Sequence, residues 1–461
     1  MSAREVARNP ADPLRHVKLG LALEGEGRLR EAEACLRRSL ALAPESADAA
    51  NILGHVLRRQ ERLIEAEEWH RRALALKPDF VNALVHLGVT LRNQGRLAPA
   101  IDCHARALAL APRTLDALVH LGATLREAGE TEAAIAVHRQ ALALSPGQPD
   151  AALNIAFALL SEGDLPGGSA AYECRFAGGR YPLPDHSLWD GAPLPGGTLL
   201  LWAELGFGDT IQFIRYAKLI RPRVGRLALR CHPALVALMR TMPELDDVIS
   251  IEAPLPRFDA YIPLVSLMRV LGTTLATIPS QTPYLAPPPD RVTRFSGVRA
   301  RGALTVGLVW AGNPGHGNDR RRSLPLTALG RLFSLPNKFR VVSVQVSAFT
   351  GTARRFDQEI RASPWADRLI DLGPTLGDFA DTAAVLSSLD LLIAVDTAVV
   401  HVAGALGVKG WVLLPFNADW RWLKHRADSP WYKSLTLYRQ EADFRWAPVI
   451  ERVRADLEAL C

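Results

Sequence analysis

The chain has 461 residues, of which 48% are hydrophobic and 22% are charged, a balance typical of globular proteins with two or three domains. The formal net charge of +6 allows an anionic ligand, but the basic residues are scattered and do not indicate nucleic-acid binding. Five distant cysteines without a CxxC pair argue against a disulfide framework and a zinc site. We expect no signal peptide, and charged residues interrupt the longest apolar region, 385–416, so the sequence predicts a cytoplasmic protein without a transmembrane segment.

The first part of the chain repeats every 34 residues. Three kinds of residue keep this period: glycine at 20, 54, 88 and 122, alanine at 32, 66, 100 and 134, and proline at 44, 78, 112 and 146. Small residues let two helices approach closely, and proline ends the second helix of a unit. The pattern resembles the tetratricopeptide (TPR) repeat, a helix–turn–helix unit that is stable only when stacked.

The resemblance covers residues 13–182 and predicts an all-α solenoid of five repeats. The fifth repeat, 149–182, is degenerate, since Ala156 replaces the glycine, Gly168 the alanine and Arg180 the proline. Terminal repeats are commonly atypical because they cap the stack or meet another domain.

Three histidines, His70, His104 and His138, share the same period. They could form a metal-binding or pH-sensing ladder, or they could occupy a buried packing position. Leu36 and Tyr172 stand at that position in the first and fifth repeats, which favours packing.

After a Pro/Gly-rich linker at 183–197, short apolar runs alternate with helical segments. The predicted strands are Thr198–Trp202, Arg226–Arg230, Asp247–Ile251, Tyr261–Pro263, Thr305–Trp310, Arg340–Gln345, Leu391–Val395 and Trp411–Leu414. The predicted helices lie near 209–221, 233–241, 264–272, 325–334, 352–361, 378–388, 397–406 and 448–459. This alternation predicts parallel sheets covered by helices, and the segment 286–302 divides them into two Rossmann-like lobes, 198–285 and 303–461. The expected fold class is therefore an all-α solenoid followed by an α/β module.

The first loop of interest follows the first predicted strand and contains Gly206, Gly208 and Asp209. Two glycines let the backbone turn tightly and approach a ligand, which would direct Asp209 toward the cleft between the lobes. A third glycine of a dinucleotide fingerprint is missing, because Ile211 stands there. The alternative is that Asp209 only caps its helix.

The second loop runs from Trp310 through Asn313 to three consecutive arginines, Arg320, Arg321 and Arg322. Guanidinium groups pair with two phosphate oxygens at once, so this loop could bind a diphosphate. The alternative is a solvated basic loop.

The third loop begins where a buried strand ends at Asp396. A helix is expected to start there, with the backbone N–H groups of Thr397 and Ala398 forming an anion site. His401 lies four residues after Thr397, on the same helical face. The alternative is a capping Asp396 and a histidine in the core.

Together the loops resemble the heptosyltransferase-like glycosyltransferases of the GT-B fold. The residues that carry this resemblance are Gly206-Phe207-Gly208-Asp209 and Asp396-Thr397-Ala398 with His401, supported by 378–382 and 419–422. Segment 198–440 also resembles a bacterial group in which TPR repeats precede such a module. The resemblance implies metal-independent, inverting transfer without a cofactor, from a nucleoside diphosphate sugar held mainly by the C-terminal lobe to an acceptor at the N-terminal lobe.

The resemblance also implies roles for individual residues. Asp209 matches the general base, and Thr397 and Ala398 match the helix start that contacts phosphate. A basic residue near 320–322 would provide the second phosphate contact. Ala398 departs from the family, in which a glycine is usual at that position.

The remaining candidates complete a donor site. Asp396 could accept hydrogen bonds from sugar hydroxyls, and His401 could orient Asp396 or touch phosphate. The donor- and phosphate-binding set thus comprises Gly206, Gly208, Asn313, Arg320, Arg321, Arg322, Asp396, Thr397, Ala398 and His401.

Three functions are compatible with this sequence. The first is a transferase whose TPR groove presents a protein or peptide acceptor. The second is a non-catalytic TPR scaffold with a degenerate GT-B module. The third is a transferase of glycan or lipopolysaccharide assembly.

Overall fold

The computed structural model describes residues 10–179, 181, 183–335, 339–346 and 356–460. The chain divides into two compact units, with the boundary between Ala158 and Leu159. Within the described residues, every helix is too short or too polar to cross a membrane. Arg180, which marks the degenerate end of the fifth repeat, lies outside the described residues.

Paired helices of 13 or 14 residues make up the repeats, apart from the shorter last helix. They are α1 Pro13–Gly25, α2 Leu29–Leu42, α3 Ala47–Arg59, α4 Leu63–Leu76, α5 Val81–Asn93, α6 Leu97–Leu110, α7 Leu115–Glu127, α8 Thr131–Leu144, α9 Pro149–Glu162 and α10 Leu165–Tyr172. The pairs follow the predicted register, so the prediction of N-terminal TPR hairpins is confirmed.

The recurring histidines pack inside the repeats. A Cβ on Gly88 would lie 2.5 Å from Cε1 of His104, so the glycine is needed for the close approach of the two helices. The same closeness recurs at 2.7 Å for Gly54 and His70 and at 2.6 Å for Gly122 and His138. All three histidines are buried. Among the described residues, no group of three or more His, Cys, Asp or Glu side chains is placed to hold a metal ion.

The α/β part contains two parallel sheets, as predicted. The smaller sheet has the order β3-β2-β1-β4 and consists of β1 Leu194–Trp202, β2 Val224–Cys231, β3 Asp247–Ser250 and β4 Ala260–Pro263. The larger sheet has the order β10-β9-β8-β5-β6-β7 and consists of β5 Leu304–Val309, β6 Phe339–Ser343, β7 Leu369–Asp371, β8 Leu391–Val395, β9 Gly410–Leu414 and β10 Leu435–Arg439. Neighbouring strands of both sheets pair in parallel, so the carboxyl ends of the strands lie at one edge of each sheet.

Helices connect the strands. They are α11 Phe207–Phe213, α12 Ala217–Ile220, α13 Pro233–Met239, α14 Leu267–Val270, α15 Pro289–Arg294, α16 Asp319–Arg322, α17 Phe356–Arg361, α18 Phe379–Ser387, α19 Ala398–Leu406 and α20 Ala447–Ala459. The strands β8 and β9 are buried along their whole length, which fits their continuous apolar sequences and helices on both faces.

Several boundaries differ from the prediction. The strand β1 begins at Leu194, four residues before the predicted Thr198, and therefore includes the end of the predicted linker. Leu326–Ser334 forms a 3-10 helix where an α-helix was predicted. Pro325 before it and Gly330 within it disfavour a regular α-helix there.

The segment between the lobes is attached to a helix of the larger lobe through two ion pairs. Arg291 and Arg294 of α15 donate to the buried carboxylate of Asp381 in α18, at 2.7 and 3.1 Å. Asp378 caps α18 by accepting from the backbone N–H groups of Ala380 and Asp381. The motif at 378–382 therefore has a structural role in holding this connection.

Candidate functional site

The predicted loops meet where the carboxyl edges of the two sheets approach each other. The helix α11, which follows β1, packs against α19, which follows β8. The helix α13 of the smaller lobe also packs against α18 of the larger lobe. In parallel α/β sheets, ligands bind outside the carboxyl ends of the strands, so this junction is the candidate site.

Asp209 lies in the first turn of α11. Its Oδ2 accepts from the backbone N–H of Gly206 at 3.0 Å, which caps the helix. Its Oδ1 accepts from Nη2 of Arg421, in the loop after β9. The side chain is 21% exposed, so Asp209 caps its helix and is also accessible to solvent.

Arg421 is shared between two carboxylates. Its Nη1 donates to Oδ1 of Asp419 at 2.8 Å, and the guanidinium lies 4.3 Å from the ring of Trp420. Burial raises the pKa of Asp209; attraction to Arg421 opposes this, and repulsion from Asp419 adds to it. Burial also acts to raise the pKa of Asp419, but the charge and hydrogen bonds of Arg421 outweigh it and lower that pKa.

The loop before Asp209 is fixed by a buried ion pair. Arg175 donates from Nη2 to Oε1 of Glu204 at 2.9 Å, and both side chains are 1% exposed. The other carboxylate oxygen of Glu204 accepts from the backbone N–H of Leu264 at 3.1 Å. Burial raises the pKa of Glu204, opposed by Arg175. These bonds hold Glu204, at the start of the glycine loop, in place.

Gly208 provides space for His401. A Cβ at this position would lie 2.8 Å from Cδ2 of His401, so the glycine lets α11 approach α19. Nδ1 of His401 is hydrogen-bonded to the hydroxyl of Tyr432 at 3.0 Å, and its ring stacks on Trp422 at 5.4 Å. Burial, together with Arg421, lowers the pKa of His401 to about 3. The imidazole is therefore neutral and packed between the lobes, and its Nδ1 bonds to Tyr432 rather than to Asp396.

The helix α19 begins one residue later than Asp396. Thr397 is its N-cap residue, and Ala398 is its first helical residue. Oγ1 of Thr397 is buried and has no hydrogen-bond partner among the described residues. Burial and repulsion from Asp419 raise the pKa of Asp396 to about 6, although attraction to Arg322 opposes the rise. Protonated and ionised forms of this carboxyl group are therefore both accessible near neutral pH.

Arg322 connects the second predicted loop to the third. Its Nη1 donates to the backbone carbonyl of Asp396 at 3.0 Å, and its Nε lies 3.3 Å from Oδ1 of Asp319. Arg320 is exposed and Arg321 is half-buried. Asn313 is exposed, and its Oδ1 accepts from the backbone N–H of Gly315, which shapes the turn.

The structure thus brings Asp209, Asp396 and Arg322 to the same junction and adds Asp419 and Arg421. Sequence reasoning did not assign these last two residues to the site. They lie in the segment Asp419-Trp420-Arg421-Trp422, where charged residues alternate with large aromatic ones. Such a segment cannot be an ordinary solvated loop, because both tryptophans must be buried.

Comparisons with known proteins identify the N-terminal part. Family models described as tetratricopeptide repeat match residues 17–80, 79–146 and 125–173. TPR repeats therefore occupy this part of the chain.

One curated relative extends further. Protein FlbA of Caulobacter vibrioides is 27% identical, over 63% of this chain and 52% of FlbA. The chain therefore spans about half the length of that relative.

Two solved structures are also similar to the N-terminal part of the chain. PilF of Pseudomonas aeruginosa is 27% identical, with a TM-score of 0.34 over 38% of this chain and 78% of its own. YrrB, described as a TPR protein with an unusual peptide-binding site, is 20% identical, with a TM-score of 0.31 over 37% of this chain and 88% of its own.

Proposed function

We propose that the α/β part is a glycosyltransferase that moves a sugar from a nucleoside diphosphate sugar to an acceptor hydroxyl. The observation that carries this proposal is the meeting of a partly exposed carboxylate, Asp209, with Arg322 and the start of α19 at the carboxyl edges of two parallel sheets. The carboxylate can accept a proton, and the cationic groups can bind a leaving diphosphate.

The reaction follows from this chemistry. Asp209 takes the proton of the acceptor hydroxyl while the hydroxyl oxygen forms a bond to the anomeric carbon. The bond from that carbon to the diphosphate oxygen breaks, and the diphosphate leaves with the bonding electrons. Attack from the side opposite the leaving group inverts the configuration at the anomeric carbon.

Charge develops on the diphosphate as it leaves. The N–H groups at the start of α19 point along the helix axis and favour an anion. Arg322 donates to the carbonyl of Asp396 beside that helix start, so its guanidinium lies next to the proposed phosphate site. The unpaired hydroxyl of Thr397 offers another donor to the same group.

A thermal-shift screen of the full-length protein tests the donor site. UDP-glucose, GDP-mannose, ADP-glucose and dTDP-glucose are compared, because a ligand that binds the folded state raises the melting temperature. At least one donor should stabilise the wild type and stabilise Arg322→Gln less. Arg426→Gln serves as the control, since Arg426 pairs only with nearby Asp428 in the contacts described here. Absence of any shift would contradict the proposal.

The TPR repeats indicate which kind of acceptor the proposed transferase would use. Stacked repeats form extended surfaces suited to another polypeptide, so the proposed acceptor hydroxyl belongs to a protein or peptide. Incubation of the full-length protein with the stabilising donor and a candidate acceptor protein, followed by intact-mass measurement, would detect the added sugar.

A second candidate function is a scaffold without transfer. It is favoured by one observation: both oxygens of Asp209 already accept hydrogen bonds, from Gly206 and from Arg421. If this arrangement persists with ligand bound, Asp209 cannot accept a proton from an acceptor. Donor binding without hydrolysis or transfer of the sugar would support the scaffold.

A further inference from the structure

The second helix of the fifth repeat is packed within the α/β unit. The helix α10 and the 3-10 helix Glu173–Gly179 that follows it both belong to the compact unit that begins at Leu159. The helix α10 contacts α14, which follows β4 in the smaller lobe. A helix of the last repeat therefore lies against the lobe that carries Asp209.

Arg175 connects this segment to the carboxyl ends of two strands. Its Nη2 donates to Oε1 of Glu204, just after β1, at 2.9 Å and to Oγ of Ser266, just after β4, at 2.7 Å. Its Nη1 donates to Oε1 of Glu173 at 2.8 Å, and the hydroxyl of Ser266 donates to the same oxygen at 2.8 Å. One buried guanidinium thus holds both strand ends against the last repeat.

Aromatic contacts carry the connection to the other side of the site. The guanidinium of Arg175 lies 4.7 Å from the ring of Tyr172, whose ring is 6.5 Å from that of Trp420. Trp420 in turn lies 4.3 Å from the guanidinium of Arg421. Because Arg421 donates to Asp209, these contacts join the loop before Asp209 to the loop that holds its cation.

The bond between Arg175 and Glu204 fixes geometry more than it stabilises the fold. A buried ion pair contributes little net stability, because the loss of hydration offsets the attraction. A guanidinium, however, meets several acceptors at fixed angles and so sets their relative positions. Glu204 lies five residues before Asp209, whose carboxylate must be held within ~0.5 Å of a productive position.

We propose that Arg175 is a positioning residue for the proposed base: through Glu204 it holds the glycine loop, so that Asp209 meets the acceptor hydroxyl. This inference rests on the proposed function, because Asp209 acts as a base only if transfer occurs. The hold on the loop does not itself require transfer and can be measured separately. Residues of the fifth repeat would then be needed for the reaction as well as for the TPR stack.

A paired substitution in the full-length protein separates positioning from stability. Arg175→Met with Glu204→Gln removes both charges, and Gln can still accept from the N–H of Leu264. No buried charge is left without its partner, so this double variant should unfold near the urea concentration that unfolds the wild type. Arg175→Met alone should unfold at less urea, because Glu204 then stays buried without its cation.

The matched control neutralises an exposed pair in the same lobe. Arg226 of β2 and Asp247 of β3 lie 2.7 Å apart near the amino ends of these strands, away from the carboxyl edge that carries the site. Arg226→Met with Asp247→Asn should leave both the loop and the reaction unchanged.

Hydrogen exchange followed by mass spectrometry reports the hold on the loop. Backbone amides of 203–210 should exchange about tenfold faster in the Arg175/Glu204 double variant than in the wild type or the control. With a donor found by thermal shift, kcat should fall by about 10²-fold in the double variant, because the base is misplaced. The KM for the donor should stay near that of the wild type, since the proposed donor contacts lie on the larger lobe.

The two readouts distinguish failure of this inference from failure of the proposed function. Unchanged exchange at 203–210 would overturn the inference, even in a protein without transferase activity. Faster exchange with an unchanged kcat would also overturn it, as would equal changes in the control. Faster exchange in a protein that transfers no sugar would refute the transferase and support the hold of Arg175 on the loop. If the double variant does not fold, Arg175→Lys, which keeps the charge but loses the planar fork, is compared by the same two measurements.

Discussion

Nη2 of Arg421 donates a hydrogen bond to Oδ1 of Asp209, joining the loop after β9 to the helix after β1. Removal of Arg421 leaves Asp209 and Asp419 as two neighbouring carboxylates without their shared cation. Arg421→Met should therefore lower the free energy of unfolding by about 3 kcal/mol, the scale for breaking a largely buried ion pair. Urea unfolding followed by tryptophan fluorescence reports this change, because nine of the ten tryptophans lie in the second unit.

Arg426→Met is the control for that experiment. Arg426 pairs with Asp428, whose side chain is 71% exposed, and exposed pairs contribute less than ~1 kcal/mol. If Arg426→Met lowered the free energy of unfolding as much as Arg421→Met, the bond between Arg421 and Asp209 would contribute no more than an ordinary surface pair.

Asp209→Asn tests the proposed base. Asn keeps the shape and can still accept from the N–H of Gly206, but it cannot take a proton at neutral pH. Transfer should fall by about 10²–10⁴-fold, the usual contribution of general base catalysis. Donor binding should change little, because the proposed donor contacts lie at Arg322 and the start of α19.

Asp378→Asn is the matched control, because Asp378 also caps a helix, and the described partners of its side chain are Ala380, Asp381 and Arg291 rather than Asp209 or Arg421. Its transfer rate should stay near that of the wild type. Full activity of Asp209→Asn would remove Asp209 from the mechanism, and loss of donor binding would make it a structural or donor-binding residue.

Asp396 should make stability depend on pH. Its pKa of about 6 in the folded protein exceeds that of an unfolded chain, ~3.9, so the folded state holds the proton more tightly. Stability relative to Asp396→Asn should therefore decline as pH rises from about 4 to about 6, by ~3 kcal/mol, and then level off. Urea unfolding of both proteins between pH 4 and 7 measures the difference, and a difference that is constant over this range would contradict the raised pKa.

The sequence was sufficient to predict the elements that carry strong local signals. The period of the repeats places each glycine opposite the residue that packs on it, and the apolar runs of β8 and β9 predict buried strands. Two strands were missed. β7 has three residues, Leu369–Asp371, too few to show a pattern, and the short alternating segment Leu435–Arg439 of β10 follows a loop rather than a predicted helix.

The site was predictable only in parts. The loops with Gly206 and Asp396 can be recognised from the sequence, because each follows an apolar strand and carries an acidic residue, and the first also has two glycines. The bond between Asp209 and Arg421 joins residues 212 positions apart, and no local pattern contains that information. Likewise, the sequence predicts that Gly208 lets the backbone approach a ligand, but no local pattern indicates that it also makes room for His401.

A substitution at Gly208 therefore tests the close packing of α11 against His401 of α19. Gly208→Ala places a Cβ 2.8 Å from His401, which is held by Tyr432 and Trp422 and cannot simply move away. The free energy of unfolding should fall by ~1–3 kcal/mol, as for other overpacked sites. Gly206→Ala is the control: its Cβ would meet Oδ2 of Asp209 at 3.4 Å, an ordinary contact, and should cost less than ~1 kcal/mol.

A double-mutant cycle identifies the cause of any loss at Gly208. In a His401→Ala background the ring is gone, so Gly208→Ala should cost much less than it does in the wild type. If the cost is the same in both backgrounds, contact with His401 does not explain the glycine. The alanine would then act through the helix itself, and we would expect similar losses from alanine at Gly206 and Gly208.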